Sequence, residues 1–228
     1  MLQLVVNEFR HVRVMMVAIL GAVAVVAPVC AWASEPDLIG GLRMLILLVP
    51  AYLGLTLAAN SFRAEGRGNT WRLLQALPAS PAAIVTAKFV AALAIIAAGT
   101  LIGVAGLMVA DGHHSLSQAA FSMGLPLLAG LLLLGINYWL CFWVGERSAS
   151  IGLITILVVL QAIGAVQLAL APRGGGLTAV ILRAENWLSW AAGPAGLLAC
   201  ALVASSVLIA GWGASIAAYA RRDFTRAM

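Results

Sequence analysis

The chain is 228 residues long, 63% hydrophobic and only 9% charged. A water-soluble domain carries about 25% charged residues to coat its surface, so this composition, with a mean hydropathy of +1.05, excludes one. The net charge of +5 suggests nucleic acid at first sight, but the placement of the charges excludes that partner as well.

A membrane-crossing helix needs about 20 apolar residues to traverse roughly 30 Å of hydrocarbon. Runs that are suitable, or nearly so, fall at 14–33, 44–60, 89–110, 121–145, 151–171 and 194–220. They are rich in Leu, Ala, Val and Gly and lack the period-two alternation of barrel strands. The predicted fold is all-α: one membrane domain over 1–228 with six transmembrane helices and both termini in the cytoplasm. With the amino terminus inside, Arg10, Arg13, Arg63, Arg67, Arg72, Lys88, Arg147, Arg221, Arg222 and Arg226 are cytoplasmic, and only Arg43, Arg173 and Arg183 lie outside. The acidic residues split evenly: Glu8, Glu65, Glu146 and Asp223 inside, Glu35, Asp37, Asp111 and Glu185 outside. A Lys/Arg bias without an acidic one is the positive-inside pattern. The basic surplus sets topology.

In chain order, 1–13 gathers Leu2, Val5, Val6, Phe9 and Val12 toward one helical face against Gln3, Asn7, Glu8, Arg10 and Arg13. This predicts a helix in the inner interface that turns into the bilayer, with a frayed tail as the alternative. Ala31-Trp32-Ala33 before Ser34 resembles a signal-peptidase site, yet the run before it is about 20 residues, longer than the 7–15 of a secretory core, so a retained first span is expected. Residues 34–43 read as a short outer loop and 111–120 as another. In the second of these, Asp111-Gly112-His113-His114 has metal-binding residue types but no further ligands nearby, and is expected to be a solvated turn. Gly99, Gly103 and Gly106 in the third run predict close helix approach. Asn137 and Tyr138 in the fourth are assigned to packing. Residues 172–193 form the longest outer segment; their mixture of Trp187, Leu188 and Trp190 with Arg183, Glu185 and Asn186 suits short interfacial helices. Cys30, Cys141 and Cys200 are isolated within apolar runs and read as small buried hydrophobes, although Cys30 and Cys200 share the outer side and a disulfide between them stays open.

The most informative segment is 62–87, on the cytoplasmic side. Gly66 and Gly68 are expected to break the helix leaving the second run, and Asn69 or Thr70 to cap a new one. Trp71, Leu74 and Leu77 recur at spacing three, while Arg72 and Gln75 point away. Pro78 stops this helix; Ser80 followed by Pro81 is a fresh start, a cap with proline at the first helical position. Two turns are too few to be stable alone. The short helix must either lie on the membrane or its own bundle, or dock into a cytoplasmic partner.

The order Glu65, Gly68-Asn69-Thr70-Trp71-Arg72-Leu73-Leu74, Ala76-Leu77-Pro78, Ser80 and Ala87-Lys88 resembles the permeases of type-2 ATP-binding cassette (ABC) exporters, nearest the branch that includes lantibiotic-immunity and bacitracin-export permeases. Pro81 departs from that branch, which commonly has a basic residue after the Ser. The resemblance implies a transport subunit of the bacterial inner membrane with no ATPase of its own, and the chain has no G-x-x-x-x-G-K-[ST] phosphate loop. It implies a separate nucleotide-binding ABC ATPase subunit that holds ATP and Mg²⁺, and a second permease subunit, as a homo- or heterodimer. Residues 70–77 would be the coupling helix, with Trp71, Leu74 and Leu77 docking and Glu65 as a polar partner; 145–150, with Glu146, would make a smaller contact. The second and fifth spans would line the path, which makes Tyr52, Thr56, Gln161 and Gln167 candidate lining residues, with interhelical hydrogen bonding as their alternative role. No ionisable residue sits at the centre of a run, unlike ion-coupled carriers, so an amphipathic peptide, lipid-like or drug-like substrate is expected. A haem-export permease of cytochrome maturation and a non-transporting membrane sensor or assembly protein are the alternatives. No Ser/His pair, H-E-x-x-H or aspartate pair on the spans supports an intramembrane enzyme.

Overall fold

The computed structural model describes residues 2–32, 36–67, 80–111, 115–145, 149, 151 and 189–221. Among them the ordered elements are seven helices and no strands: α1 (Leu2–Trp32), α2 (Pro36–Leu47), α3 (Val49–Arg67), α4 (Pro81–Asp111), α5 (Leu116–Ser122), α6 (Gly124–Val144) and α7 (Pro194–Arg221). Four stretches are long and apolar enough to cross a membrane: Arg13–Trp32, Pro81–Ala110, Leu116–Val144 and Pro194–Arg221. The fifth expected run, 151–171, lies outside the described residues apart from Ile151, as do 172–188.

Two buried apolar clusters fix the direction of each helix. One gathers Ile19, Leu57, Ala58, Val85, Phe89, Tyr138, Phe142 and Ala149, with Met15, Phe62 and Tyr219 packed on it. The other gathers Ala27, Cys30, Ile46, Val104, Leu107, Ala110, Ala119 and Met123. Helix α1 therefore runs from the first cluster to the second, α2 and α3 return, α4 runs out, and α5 and α6 return. Helix α7 starts beside the second cluster, where Leu197 meets Gly124, and ends at the first. Helix α6 is the centre of the bundle, packed along α3 on one side and α7 on the other, while α4 lies along α1.

Several helix boundaries differ from the sequence expectation. Helix α1 is unbroken from Leu2 to Trp32, so the expected turn at Arg13 is absent; 31 residues at 1.5 Å give about 46 Å. The expected loop at 34–43 gives way to α2 from Pro36, with proline in the first turn, where its missing N–H costs nothing. Helices α2 and α3 form one hydrogen-bonded path: Leu48 donates to the Met44 carbonyl and Tyr52 to that of Leu48, both at 2.9 Å. Pro50 cannot donate to Ile46, and that gap interrupts the hydrogen-bond ladder without ending the path. Gly66 does not break α3, which continues to Arg67. The expected loop 111–120 is helical from Leu116, because Ser115 and Gln118 form a reciprocal capping box that satisfies two amides at the helix start. Helices α5 and α6 are again one path, bent at Met123. Among the described residues no disulfide forms, and Cys30 is buried in the second cluster.

Other expectations are met. Ser80 caps α4: its Oγ accepts from the Ala83 amide at 3.2 Å, and its carbonyl from Ala83 and Ile84. Ser80→Ala should cost about 1 kcal/mol and appear as faster hydrogen exchange at the Ala83 amide, with the rest of α4 unchanged. The third-run glycines lie where neighbours press close: Gly99 under Leu53, Gly103 under Met123 and Gly106 under Val23. The Asp111–His114 turn has residues 112–114 outside the described set.

Candidate functional site: the loop-bearing end of the bundle

The segment of greatest interest in the sequence, 68–79, hangs between the end of α3 and the start of α4. Trp71, Leu74 and Leu77 are in it and lie outside the described residues, as do Glu146, Gln161 and Gln167. Glu65 stands in the last turn of α3. The structure describes the end of the bundle to which this segment is attached.

That end is built from aromatic rings on four helices. Phe62 of α3 meets Phe142 of α6 edge-on at 4.7 Å, Phe89 of α4 meets Tyr138 of α6 at 4.7 Å, and Phe142 meets Tyr219 of α7 edge-on at 5.8 Å. Edge-on pairs place a positive ring edge on a negative face and add to the burial each ring already gains. Trp212 of α7 donates to Thr86 Oγ1 of α4 at 3.1 Å.

Lys88 lies within this cluster. It is only 3% exposed, its ammonium donates to Ser61 Oγ at 2.7 Å, and it sits 5.3 Å from the centre of the Phe62 ring. Tyr138 Oη donates to the Lys88 carbonyl at 3.5 Å. The sequence reading counted Lys88 among the cytoplasmic cations; the structure buries its side chain between α3 and α4. Its placement after seven residues of α4 was visible, but nothing local pairs it with Ser61, 27 positions earlier.

Deeper in the bundle, α3 and α6 touch through bare backbone. A Cβ on Gly54 would fall 2.0 Å from the Gly130 carbonyl oxygen, and one on Gly130 would fall 2.4 Å from that of Pro50. Gly135 and Gly211 make the same kind of approach between α6 and α7. Asn137, fully buried, uses this closeness to donate from Nδ2 to the Leu55 carbonyl, and it also accepts from Cys141. The packing role expected for Asn137 and Tyr138 is what the structure shows.

Tyr52 and Thr56 share a face of α3, as their spacing of four predicts. Thr56 Oγ1 donates to the Tyr52 carbonyl at 2.9 Å and approaches Met15 Sδ of α1 at 3.5 Å; Asn60, four residues on, reaches the same sulfur at 3.4 Å. Tyr52 is the open member of the pair, 53% exposed. Among the described residues, open grooves of about 400 and 260 Å³ lie along the seam of α6 and α7, both lined by Trp139 and Ala214 and the smaller also by Gly211. Neither is lined by Tyr52 or Thr56. Trp139 and Trp143, stacked at 5.4 Å, wall the larger one.

The sequence profile of the ABC-2 family transporter protein matches residues 3–212, a span that contains every helix described above except Leu2 of α1 and the last turns of α7. The chain belongs to the ABC-2 transporter family. As an ABC-2 protein with four stretches of spanning length and hydropathy among the described residues, it is a multi-pass membrane protein and a permease subunit of an ABC transporter. No curated protein matches the chain.

Proposed function

We propose that this ABC-2 permease is the membrane half of an ATP-driven exporter of the bacterial inner membrane, coupled to a separate ABC ATPase through residues 70–77. The observation that carries the reading is the family match over 3–212, because ABC-2 permeases work with an ABC ATPase subunit. The position of the segment agrees with it. Helix α3 ends and α4 begins at the end of the bundle where Arg13 and Arg221 also lie, which would be the cytoplasmic end by the positive-inside rule.

Six spans complete the picture. Helix α6 ends beside the first cluster and α7 begins beside the second, so 145–193 joins opposite ends of the bundle, and 151–171 is the apolar run suited to that crossing. Helices α2 and α3 together supply the second. Trp71, Leu74 and Leu77 would seat in the ATPase, with Glu65 and Glu146 as polar contacts. ATP, with its Mg²⁺, would be bound and hydrolysed by that partner, and closure of its dimer would rock the spans of two permease subunits. Tyr52 and Thr56 on the second span, with Gln161 and Gln167 on the fifth, would face the path of an amphipathic peptide, lipid-like or drug-like substrate. The lantibiotic-immunity and bacitracin-export branch is the nearest setting for such cargo.

The full-length chain, tagged and extracted from its native membrane in mild detergent, is expected to bring down an ABC ATPase and to show ATP hydrolysis in that preparation. Recovery of the folded chain without any nucleotide-binding subunit would sink the reading.

A further inference from the structure

We infer that Lys88 is a positioning residue: a buried ammonium that clamps the two helical stems of the 68–79 segment together, so that they move as one body. The inference rests on the proposed coupling role of that segment and assigns a task that the segment itself does not perform.

The placement is symmetrical. Ser61 precedes the last residue of α3, Arg67, by six positions, and Lys88 follows the first residue of α4, Pro81, by seven. At 1.5 Å per residue the bond between them crosses from stem to stem about 10 Å inside the bundle on both sides. The Lys88 ammonium holds Ser61 Oγ at 2.7 Å and lies against the Phe62 ring of the same stem. Phe62 in turn abuts Phe142, and Tyr138 reaches back to the Lys88 carbonyl. One side chain therefore joins α3 to α4, and its neighbours join both to α6.

The choice of lysine calls for a reason. Taking an ammonium out of water costs several kcal/mol even after relaxation, and an apolar residue of similar volume at such a site is often neutral or stabilising. A short hydrogen bond to a charged donor and a ring face offset part of that cost. Methionine would fill a similar volume between the stems. What methionine cannot supply is a directional, charge-assisted link to Ser61, and direction is what a clamp between two moving stems requires.

This separates a clamp from a filler. In Lys88→Met, with the full chain in phosphatidylethanolamine/phosphatidylglycerol nanodiscs, hydrogen exchange in 59–64 and 80–90 should rise by about ten-fold or more, as expected for losing a hydrogen bond to a charged group. Ser61→Ala, which keeps the ammonium and removes the Ser61 hydroxyl that accepts from it, should raise exchange in the same two stretches. Exchange at native rates in both stems of both variants would overturn the clamp.

A second arm uses the native assembly with its co-purified ATPase. MgATP with vanadate should alter exchange in 131–144 of α6 in the native protein. In Lys88→Met that response should disappear while the ATPase stays bound. Persistence of the α6 response in the variant would overturn the inference. If the native chain recovers no ATPase, the coupling reading falls, and the nanodisc comparison still decides whether Lys88 ties the stems.

Discussion

Gly54→Leu is expected to yield no folded, monodisperse protein, and Gly54→Ala to lower the melting temperature although alanine is worth about 1 kcal/mol more than glycine in a helix interior. The reason is the direct contact of main chains between α3 and α6. A Cβ on Gly54 would meet the Gly130 oxygen at 2.0 Å, its carbon at 2.7 Å and its Cα at 2.9 Å. None of these atoms can rotate away as a side-chain tip would, so the helices themselves must separate. Separation would also pull Asn137 off the Leu55 carbonyl, leaving a buried amide unsatisfied at a cost of about 1–3 kcal/mol, and loosen the Phe62–Phe142 pair. Overpacking alone typically costs about 1–3 kcal/mol for modest insertions, and a whole leucine here exceeds that. Gly21→Ala is the control. It lies in α1, and a methyl group added there would have no atom within 4 Å beyond its own stretch of helix, so helix propensity should act alone and stability should hold or rise. Thermal melts of the three variants in one detergent decide the matter; a Gly54→Ala protein that melts above the native one would show that the helices have room to part.

Leu74→Glu is expected to abolish recovery of the ATPase while leaving the melting temperature of the permease unchanged. Trp71, Leu74 and Leu77 stand at spacing three between a capping Asn69 or Thr70 and the stop at Pro78. On the proposed coupling helix Leu74 would be the middle of that apolar face, where exclusion of water by a partner is most complete. An unpaired carboxylate carried into such a contact costs several kcal/mol, and each 1.4 kcal/mol is a factor of ten in affinity. A loss of about a hundred-fold or more empties a pull-down. Ala76→Glu would put the same charge on the far side of the proposed short helix, about 160° around from Leu74 at 100° per residue, and should leave recovery intact. Equal recovery by both variants would remove the docking role from this face.

The features legible in the sequence were those set by local chemistry or by simple hydropathy. The start of α4 at Ser80 and Pro81 was readable because a cap and a first-turn proline act within four residues. The apolar runs were readable because lipid demands them. The ends of α2 and α5 were missed for a common reason: hydropathy assigns polar residues to loops, whereas Asp37 and Arg43, like Ser117 and Gln118, lie within the helices α2 and α5. The capping box at Ser115 and Gln118 was the signal that could have corrected the second case. Pro50 was visible, but whether a proline ends a helix or merely bends it depends on the bonds around it. The docking site proposed on 68–79 rests on the sequence alone, since those residues lie outside the described ones, and the packing of the helices that carry it was illegible there. No spacing rule joins Ser61 to Lys88 or Gly54 to Gly130, since those meetings are made by the packing of separate helices.

The bare-backbone crossing of α3 and α6 also determines what kinds of motion are open to these helices. Side-chain interfaces absorb displacement by changing rotamers; two main chains in contact cannot, so their separation is fixed and the remaining freedom is rotation about the point where they touch. Gly54 is that fulcrum, and Arg67 lies thirteen residues from it along α3, about 20 Å away at 1.5 Å per residue. A tilt of about 5° at the glycines therefore carries the tip of α3 through about 2 Å by this geometry, with almost no displacement in the middle of the bundle.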